Sequence, residues 1–364
     1  MNINKKNIAR CIELANLGLG NVQPNPMVGC VIVHNNKIIG EGYHQKYGEA
    51  HAEVNAINSV KNTSLLKDST IYVNLEPCAH YGKTPPCADL IVEKKIHKVV
   101  IGTVDPYVKV AGKGIEILKK GGCDVITGIL ENECKELNKR FFTFHEKQRP
   151  YIILKWAQTA DGFIDIIRKS KQENRPTWIT DEICRTLVHK WRTEEQAIIV
   201  GTNTAEKDNP KLNVRNWKGN NPLRLIIDKD IRLNKNLSLF DQSIPTIVFT
   251  SKTVASANNL EYCKIDFNSD IIPQILQELH NRNIQSLIVE GGAQLLNSFI
   301  LADLWDEARV FEGEINFTKG IKAPDIKGKL IYKDKIGNSN LFVYKKAPPN
   351  LPKGEELKKG TINE

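Results

Sequence analysis

HAEVNAI at 51–57 and EPCAHYGKTPPC at 76–87 decide how the chain is read, because together they supply an imidazole, two thiols and a spare carboxylate. His51, Cys78 and Cys87 are the candidate ligands of a Zn²⁺ ion, and Glu53 is the carboxylate left over. Three protein ligands leave a fourth position for water, whose pKa the metal lowers to about 7. His80 is an alternative third ligand, since the shorter C-x-x-C spacing would pair Cys78 with Tyr81, and Cys87 is the next thiol. A closed structural zinc site, or buried thiols with an unrelated histidine, is the competing reading. It gives no reason for Glu53, and it would recruit a fourth protein ligand. Near the first turn of a helix, His51 reaches the metal while Glu53 faces a substrate. Attack at a ring C–NH₂ carbon with Glu53 moving the protons is hydrolytic deamination.

Outward from these motifs, helix and strand signals alternate, which predicts an α/β sheet covered on both faces. Ile8, Cys11, Ile12 and Ala15 recur at helical spacing, with Gly18 and Gly20 closing that segment. Strands are predicted at 28–33, 36–40, 70–74, 98–102 and 124–127. Helices are predicted over about 52–60 and 86–94 and after Ala111, where Gly121-Gly122 ends the run. A single polar helix carrying Glu131, Cys134, Leu137 and Phe141 then leads to EKQRP at 146–150. Both zinc motifs fall where a strand feeds a helix, and helix N-termini favour thiolate charge.

The chain has 364 residues and 41% hydrophobic content, enough for two cores. The expected division is 1–147, 148–346 and a polar tail at 347–364. No apolar run approaches the roughly 20 residues of a bilayer crossing, and MNINKKNIAR lacks a secretory signal's apolar stretch. A cytoplasmic enzyme without a membrane partner is therefore expected. Eight cysteines in so long a chain argue against a disulfide framework. The net charge of +9 suits an anionic partner, yet its lysines are scattered and no basic stripe interleaves with aromatics. A phosphorylated metabolite fits better than nucleic acid.

The second half presents YIILKWAQTADG at 151–162, WITDE at 178–182, AIIVGTNTAEKDNPKLNVR at 197–215 and SLIVEGGAQLLNSFI at 286–300. In VEGGAQLLN a strand runs through glycines into an amphipathic helix whose first N–H groups can cradle a pyrophosphate. A tight turn without ligand reads the same way, and no G-x-G-x-x-G fingerprint supports an ordinary Rossmann site. Arg192 and Arg215 offer planar donor forks suited to phosphate, whereas Asp208 or Glu290 suits sugar hydroxyls. Salt bridges are the alternative use of both arginines.

PNPMVGCVIV at 24–33, GYHQKYGEAHAEVNAI at 42–57 and YVNLEPCAHYGKTPPC at 72–87 resemble the deaminase half of the bifunctional riboflavin-biosynthesis deaminase/reductases. TPPC separates this family from cytidine, guanine and transfer-RNA deaminases. The second-half motifs resemble the reductase half of the same enzymes. The resemblance implies a cytidine-deaminase-like three-layer domain followed by a dihydrofolate-reductase-like α/β domain, with Zn²⁺ and NADPH as cofactors. It implies that Asn25 recognises the pyrimidine, with His44, His80 and Lys83 near the substrate. In the reductase half it places the phosphosugar near Arg192, Asp208, Leu212, Arg215 and Glu290, with Lys155 a further contact. Cofactor contacts fall at Gln158, Trp178, Thr204, Asp208 and the turn of Gly291, Gly292, Ala293, Gln294, Leu295, Leu296 and Asn297. The chain departs from the pattern at the insertion-like loop 166–177, at Pro176 where a small polar contact is common, and at Asn209 where some members carry aspartate. A homo-oligomer is compatible with all of this. The rival readings are a nucleoside or nucleic-acid deaminase with an accessory domain, and a noncatalytic zinc-binding interaction protein.

Overall fold

The structure is a computed structural model that describes residues 2–79, 85–107, 111–167 and 177–346. His80, Lys83, Pro176, most of the 166–177 loop and the 347–364 tail lie outside the described residues.

The first half runs α1 (Ile3–Asn16), β1 (Gly29–His34), β2 (Lys37–Tyr43), α2 (Ala52–Ser59), β3 (Thr70–Leu75), α3 (Cys87–Glu93), β4 (Lys98–Thr103), α4 (Lys113–Lys120), β5 (Asp124–Ile126), α5 (Glu131–Leu137) and α6 (Lys139–Lys147). Its sheet has the order β2-β1-β3-β4-β5. The central strands β1, β3 and β4 are buried on both faces, so their sequences read as near-continuous apolar runs, and alternate side chains serve opposite layers, whereas the edge strands β2 and β5 are partly exposed. Cys30, Ile32, Ile71 and Val73 pack with Ala56 of α2, Ile91 of α3 and Leu118 of α4. Val31, Val33 and Tyr72 pack with Ile8 and Cys11 of α1 and Cys134 of α5.

The predicted single helix through Leu137 and Phe141 is instead two, α5 and α6, meeting at Asn138. The break has a tertiary cause. The Asn138 carboxamide is buried and brackets Met27, accepting from its N–H at 2.8 Å and donating to its carbonyl at 2.9 Å.

The second half runs β6 (Tyr151–Gln158), β7 (Phe163–Asp165), α7 (Glu182–Glu194), β8 (Ala197–Val200), α8 (Thr202–Asp208), β9 (Leu223–Ile227), β10 (Thr246–Thr250), β11 (Leu260–Lys264), α9 (Ile271–Asn281), β12 (Ser286–Val289), α10 (Ala293–Leu301), β13 (Glu307–Gly313), β14 (Ile321–Lys322), β15 (Gly328–Ile336) and β16 (Ser339–Lys346). Its main sheet has the order β11-β10-β9-β8-β12-β6-β13-β16-β15. From β11 to β13 neighbouring strands are parallel, and β16 and β15 close that end antiparallel. Leu154, Ile199, Leu225 and Val289 face α9 and α10, whereas Ile198, Val200, Ile226 and Ile288 face Cys184, Val188 and Trp191 of α7. In such sheets ligands bind at the carboxyl ends of the parallel strands, where loops lead into helices. All eight cysteines are free. No helix among the described residues is long and apolar enough to cross a membrane.

Candidate metal centre and nucleotide cleft

His51 is the residue before α2 and Cys87 the first residue of α3, while Cys78 lies in the segment after β3. The fold brings the three together. His51 Nδ1 lies 3.5 Å from Cys78 Sγ and 3.4 Å from Cys87 Sγ. Tetrahedral Zn–S and Zn–N bonds of about 2.3 and 2.0 Å set such atoms about 3.6 Å apart, so the cluster fits a zinc ion. These three are the group of metal-ligating side chains found among the described residues. The Cys87 backbone N–H donates to Cys78 Sγ at 3.3 Å. Together with the Cys87 thiol, which contributes most, and with His51, it outweighs burial and holds Cys78 well below the usual thiol range. A thiolate is what a metal site requires.

Glu53 is buried in the first turn of α2, and with no cation in the cluster burial and the neighbouring Cys78 push its carboxyl up to about 7. A carboxyl buried beside the ligand atoms is placed to pass protons between a water and a substrate. The segment that carries Cys78 is anchored by Glu76. Its buried carboxylate accepts backbone N–H bonds from Asp105, Gly112, Gly114 and Ile115.

His51, Glu53 and Cys78 open onto a cavity of about 440 Å³ whose wall includes Asn25 and His44. His44 is buried, its Nδ1 3.1 Å from the Ala50 carbonyl and its Nε2 3.1 Å from Asn25 Nδ2. Burial lowers its pKa, so a neutral ring donates to Ala50 and accepts from Asn25. That bond uses Asn25 Nδ2, and the same side chain lines the cavity. The sequence reading missed Asp105, Tyr107, His145, Asn283 and Gln285, which line the same cavity. Burial raises Asp105 to about 6. None of these carries a local motif, because each reaches the cavity through tertiary packing.

A second cavity, of about 750 Å³, lies at the carboxyl ends of β6, β8 and β12. Lys155, Trp178, Arg192, Thr204, Asp208, Arg215 and the run Glu290 to Leu295 line it. The remaining predicted contacts sit elsewhere: Leu212 and Leu296 are core residues, and Gln158 and Asn297 are not in the cavity wall. Gln158 accepts a hydrogen bond from Trp156 Nε1 at 2.9 Å. Arg192 is not a free donor fork either. It forms a bidentate pair with Glu290, 2.7 Å at the shorter contact, and donates to the Asn213 carbonyl at 3.0 Å. Burial alone would raise Glu290, but Arg192 and Lys155 outweigh it and bring the carboxyl to about 2. The wall also holds Arg185, stacked 4.7 Å over the Trp178 ring, and His189, neither predicted from sequence.

The glycine turn fits a dinucleotide phosphate. Gly291 and Gly292 have φ of +138° and +65°, and a Cβ on either would lie 3.0 Å from the Thr204 side chain of α8. Backbone approach is thus reserved at the start of α10, where the first N–H groups have no intrahelical carbonyl.

A hydrolytic deaminase centre on one sheet and a nucleotide-dependent reductase cleft on another define a two-activity enzyme acting on small molecules. Residues 1–103 match the cytidine and deoxycytidylate deaminase zinc-binding region, and residues 150–313 match the RibD C-terminal domain. The riboflavin biosynthesis protein RibD of Aquifex aeolicus is 37% identical over 98% of this chain and 97% of its own. That of Bacillus amyloliquefaciens is 39% identical over 86% of this chain and 85% of its own. A crystal structure of a diaminohydroxyphosphoribosylaminopyrimidine deaminase/5-amino-6-(5-phosphoribosylamino)uracil reductase from Thermotoga maritima superposes with a TM-score of 0.85 at 38% identity, covering 95% of this chain and 99% of that one. RibD of Acinetobacter baumannii gives a TM-score of 0.84 at 31% identity over 95% and 99% of the two chains.

The chain belongs to the RibD family of riboflavin-biosynthesis proteins. It is a bifunctional deaminase and reductase, with zinc as cofactor of the first activity and NADPH of the second. Membership sets aside the nucleic-acid deaminase and the noncatalytic zinc-protein readings.

Proposed function

We propose that the first half, residues 1–147, deaminates 2,5-diamino-6-ribosylamino-4(3H)-pyrimidinone 5′-phosphate. The second half, 148–346, then reduces the ribosyl chain of 5-amino-6-(5-phosphoribosylamino)uracil to ribityl. The observation that carries this reading is the His51, Cys78 and Cys87 cluster with buried Glu53 beside it, opening onto a cavity that also holds Asn25 and His44. When bound, zinc supplies a Lewis acid that makes water acidic enough to attack at neutral pH. Glu53 takes the proton of that water and delivers it to the departing amine. Asn25 reads the pyrimidine edge through Oδ1 while His44 fixes its amide. His80 and Lys83 belong to the same site in this reading and bind the substrate from the 80–84 segment.

In the second cavity NADPH supplies the hydride. The protein's share is orientation, which holds the sugar C1′ in reach and keeps water out. The turn from Gly291 to Leu295 and the side chains of Thr204, Trp178 and Asp208, which line the cavity, bind the cofactor. Lys155, Arg192, Asp208, Arg215 and Glu290 bind the phosphosugar, with Arg192 and Glu290 acting as a preformed pair. The enzyme works in the cytoplasm, binds neither nucleic acid nor membrane, and is compatible with a homo-oligomer.

The test is a coupled assay that follows ammonia release and NADPH absorbance with the pyrimidine phosphate supplied. Glu53→Gln retains its zinc and its reduction of the separately supplied uracil intermediate, while ammonia release falls by about a thousandfold or more. Ammonia release at the wild-type rate would remove Glu53 from proton transfer.

A further inference from the structure

The wall of the deaminase cavity includes Asn283 and Gln285, which come from the reductase half, in the connection between α9 and β12. Gln285 is only 2% exposed and is held on three sides. Its N–H donates to Gln196 Oε1 at 2.6 Å, its carbonyl accepts from the Tyr151 N–H at 2.9 Å, and its side-chain Nε2 donates to the Pro24 carbonyl at 2.7 Å. Pro24 is the residue immediately before Asn25.

The same loop is gripped again nearby. Gln23 Nε2 donates to the Glu194 carbonyl at 3.3 Å, and Gly20 runs so close to α7 that a Cβ there would lie 2.4 Å from the Thr193 carbonyl oxygen. On its own side the loop is held at Asn21, whose carbonyl accepts from the Tyr47 N–H at 3.1 Å, at Asn25 by His44, and at Met27, whose carbonyl accepts from both Asn74 and Asn138, but none of these bonds reaches the Pro24 carbonyl. The carbonyl directly before Asn25 is therefore anchored by Gln285, from the other half of the chain.

Asn283 differs from Gln285 in being exposed, at the mouth of the cavity. Its backbone is fixed with φ at +59° and its N–H bonded to the His280 carbonyl at 3.0 Å. No hydrogen bond of its carboxamide occurs among the described residues. A neutral amide carries donors and acceptors together, which suits the hydroxyls of a sugar emerging from the cavity.

We infer that the deaminase site is completed by the reductase half: Gln285 positions Asn25 through the Pro24 carbonyl, and the Asn283 carboxamide binds the sugar portion of the pyrimidine substrate. The inference rests on Asn25 as the pyrimidine-reading residue. It gives a physical reason for carrying both activities on one chain, since the first active site is incomplete without the second sheet. The zinc ligands and Glu53 do not hang on the 20–26 loop. Losing the anchor therefore weakens substrate binding and leaves the chemical step intact.

The experiment uses the full-length zinc-loaded enzyme. Gln285→Met keeps the side chain's length and removes its donor, and Asn283→Gly removes the carboxamide while tolerating the positive φ. Each variant raises KM for ammonia release about tenfold, the loss expected for one buried or substrate-facing hydrogen bond, with kcat within about twofold. Zinc content, and reduction of the uracil intermediate by NADPH, stay at wild-type values. Asn25→Ala, run in parallel, separates the two ideas. A KM that ignores loss of Asn25 removes that residue's role and the Gln285 limb with it. A KM that responds to Asn25→Ala but to neither Gln285→Met nor Asn283→Gly overturns the composite site alone. A parallel fall of both activities, or loss of zinc, overturns it too, because the contacts would then only hold the fold.

Discussion

At the scale of single residues, the chemistry turns on which groups are charged when buried. Cys87 contributes a thiol to the cluster and a backbone N–H to Cys78, so its two parts can be separated by mutation. Cys87→Ser keeps the helix start and the N–H but replaces a soft ligand with a hydroxyl that stays protonated at neutral pH. Zinc per chain in freshly purified protein falls well below the wild-type value; unchanged zinc would make His80 the third ligand. His189 tests the other cavity. Burial, then Arg192 and Arg215, lower it to about 4, so it is neutral in the folded enzyme at pH 7. An unfolded-state histidine has a pKa of about 6.5 and binds a proton first. Between about 6.5 and 4 the unfolded chain holds more protons than the folded one, so His189 makes stability fall as pH falls through that window. Urea titrations at stepped pH should show a shallower fall for His189→Gln; an identical slope would mean that the ring is charged in the fold.

Elements decide how backbone is presented, and the turn between β12 and α10 is the clearest case. Gly291→Ala places a Cβ 3.0 Å from Thr204 Cγ2 at a φ of +138° that an L-residue rarely adopts. KM for NADPH rises about tenfold or more while ammonia release is unchanged; equal NADPH affinity would place the pyrophosphate elsewhere. This turn was legible in the sequence because strand, glycines and amphipathic helix are contiguous. The strands of the first half were legible for the same kind of reason, being short apolar runs set off by turn residues. At the zinc motifs residue type and spacing carry the chemistry directly. The break between α5 and α6 was not legible, since Asn138 interrupts the helix to bracket Met27, more than a hundred positions away. For Arg192 the sequence left a phosphate contact and a salt bridge open, because its pairing with Glu290 depends on where β12 ends. Residues such as Tyr107, His145 and Gln285 reach the first cavity only through packing, and local periodicity carries no record of that.

For the whole molecule, the question is what holds two sheets with separate cores in one arrangement. Charged pairs link α5, α6 and the segment that follows to the second sheet. Lys139 pairs with Glu307 at 2.6 Å, Arg149 with Asp306 at 2.6 Å, and Lys345 pairs with Glu136. The most buried of these is Arg140 with Glu195, bidentate, its Nε contact at 2.7 Å, with the glutamate side chain fully inaccessible. A pair so enclosed adds little net stability over an apolar pair, yet removing one member strands a charge at a cost of about 3–5 kcal/mol. Glu195 directly follows α7, whose Arg185, Val188, His189 and Arg192 line the nucleotide cleft, and α6 contributes Phe141 and His145 to the deaminase cavity. Arg140→Leu therefore loosens the joint that both active sites share. In urea, the single unfolding transition expected of the wild type separates into two, the earlier one accompanied by loss of ammonia release before loss of NADPH-dependent reduction. Arg140→Leu combined with Glu195→Leu removes the stranded charge and restores most of the lost stability. If the double variant is as unstable as the single one, the ion pair itself, not the avoidance of a lone buried carboxylate, holds the halves together.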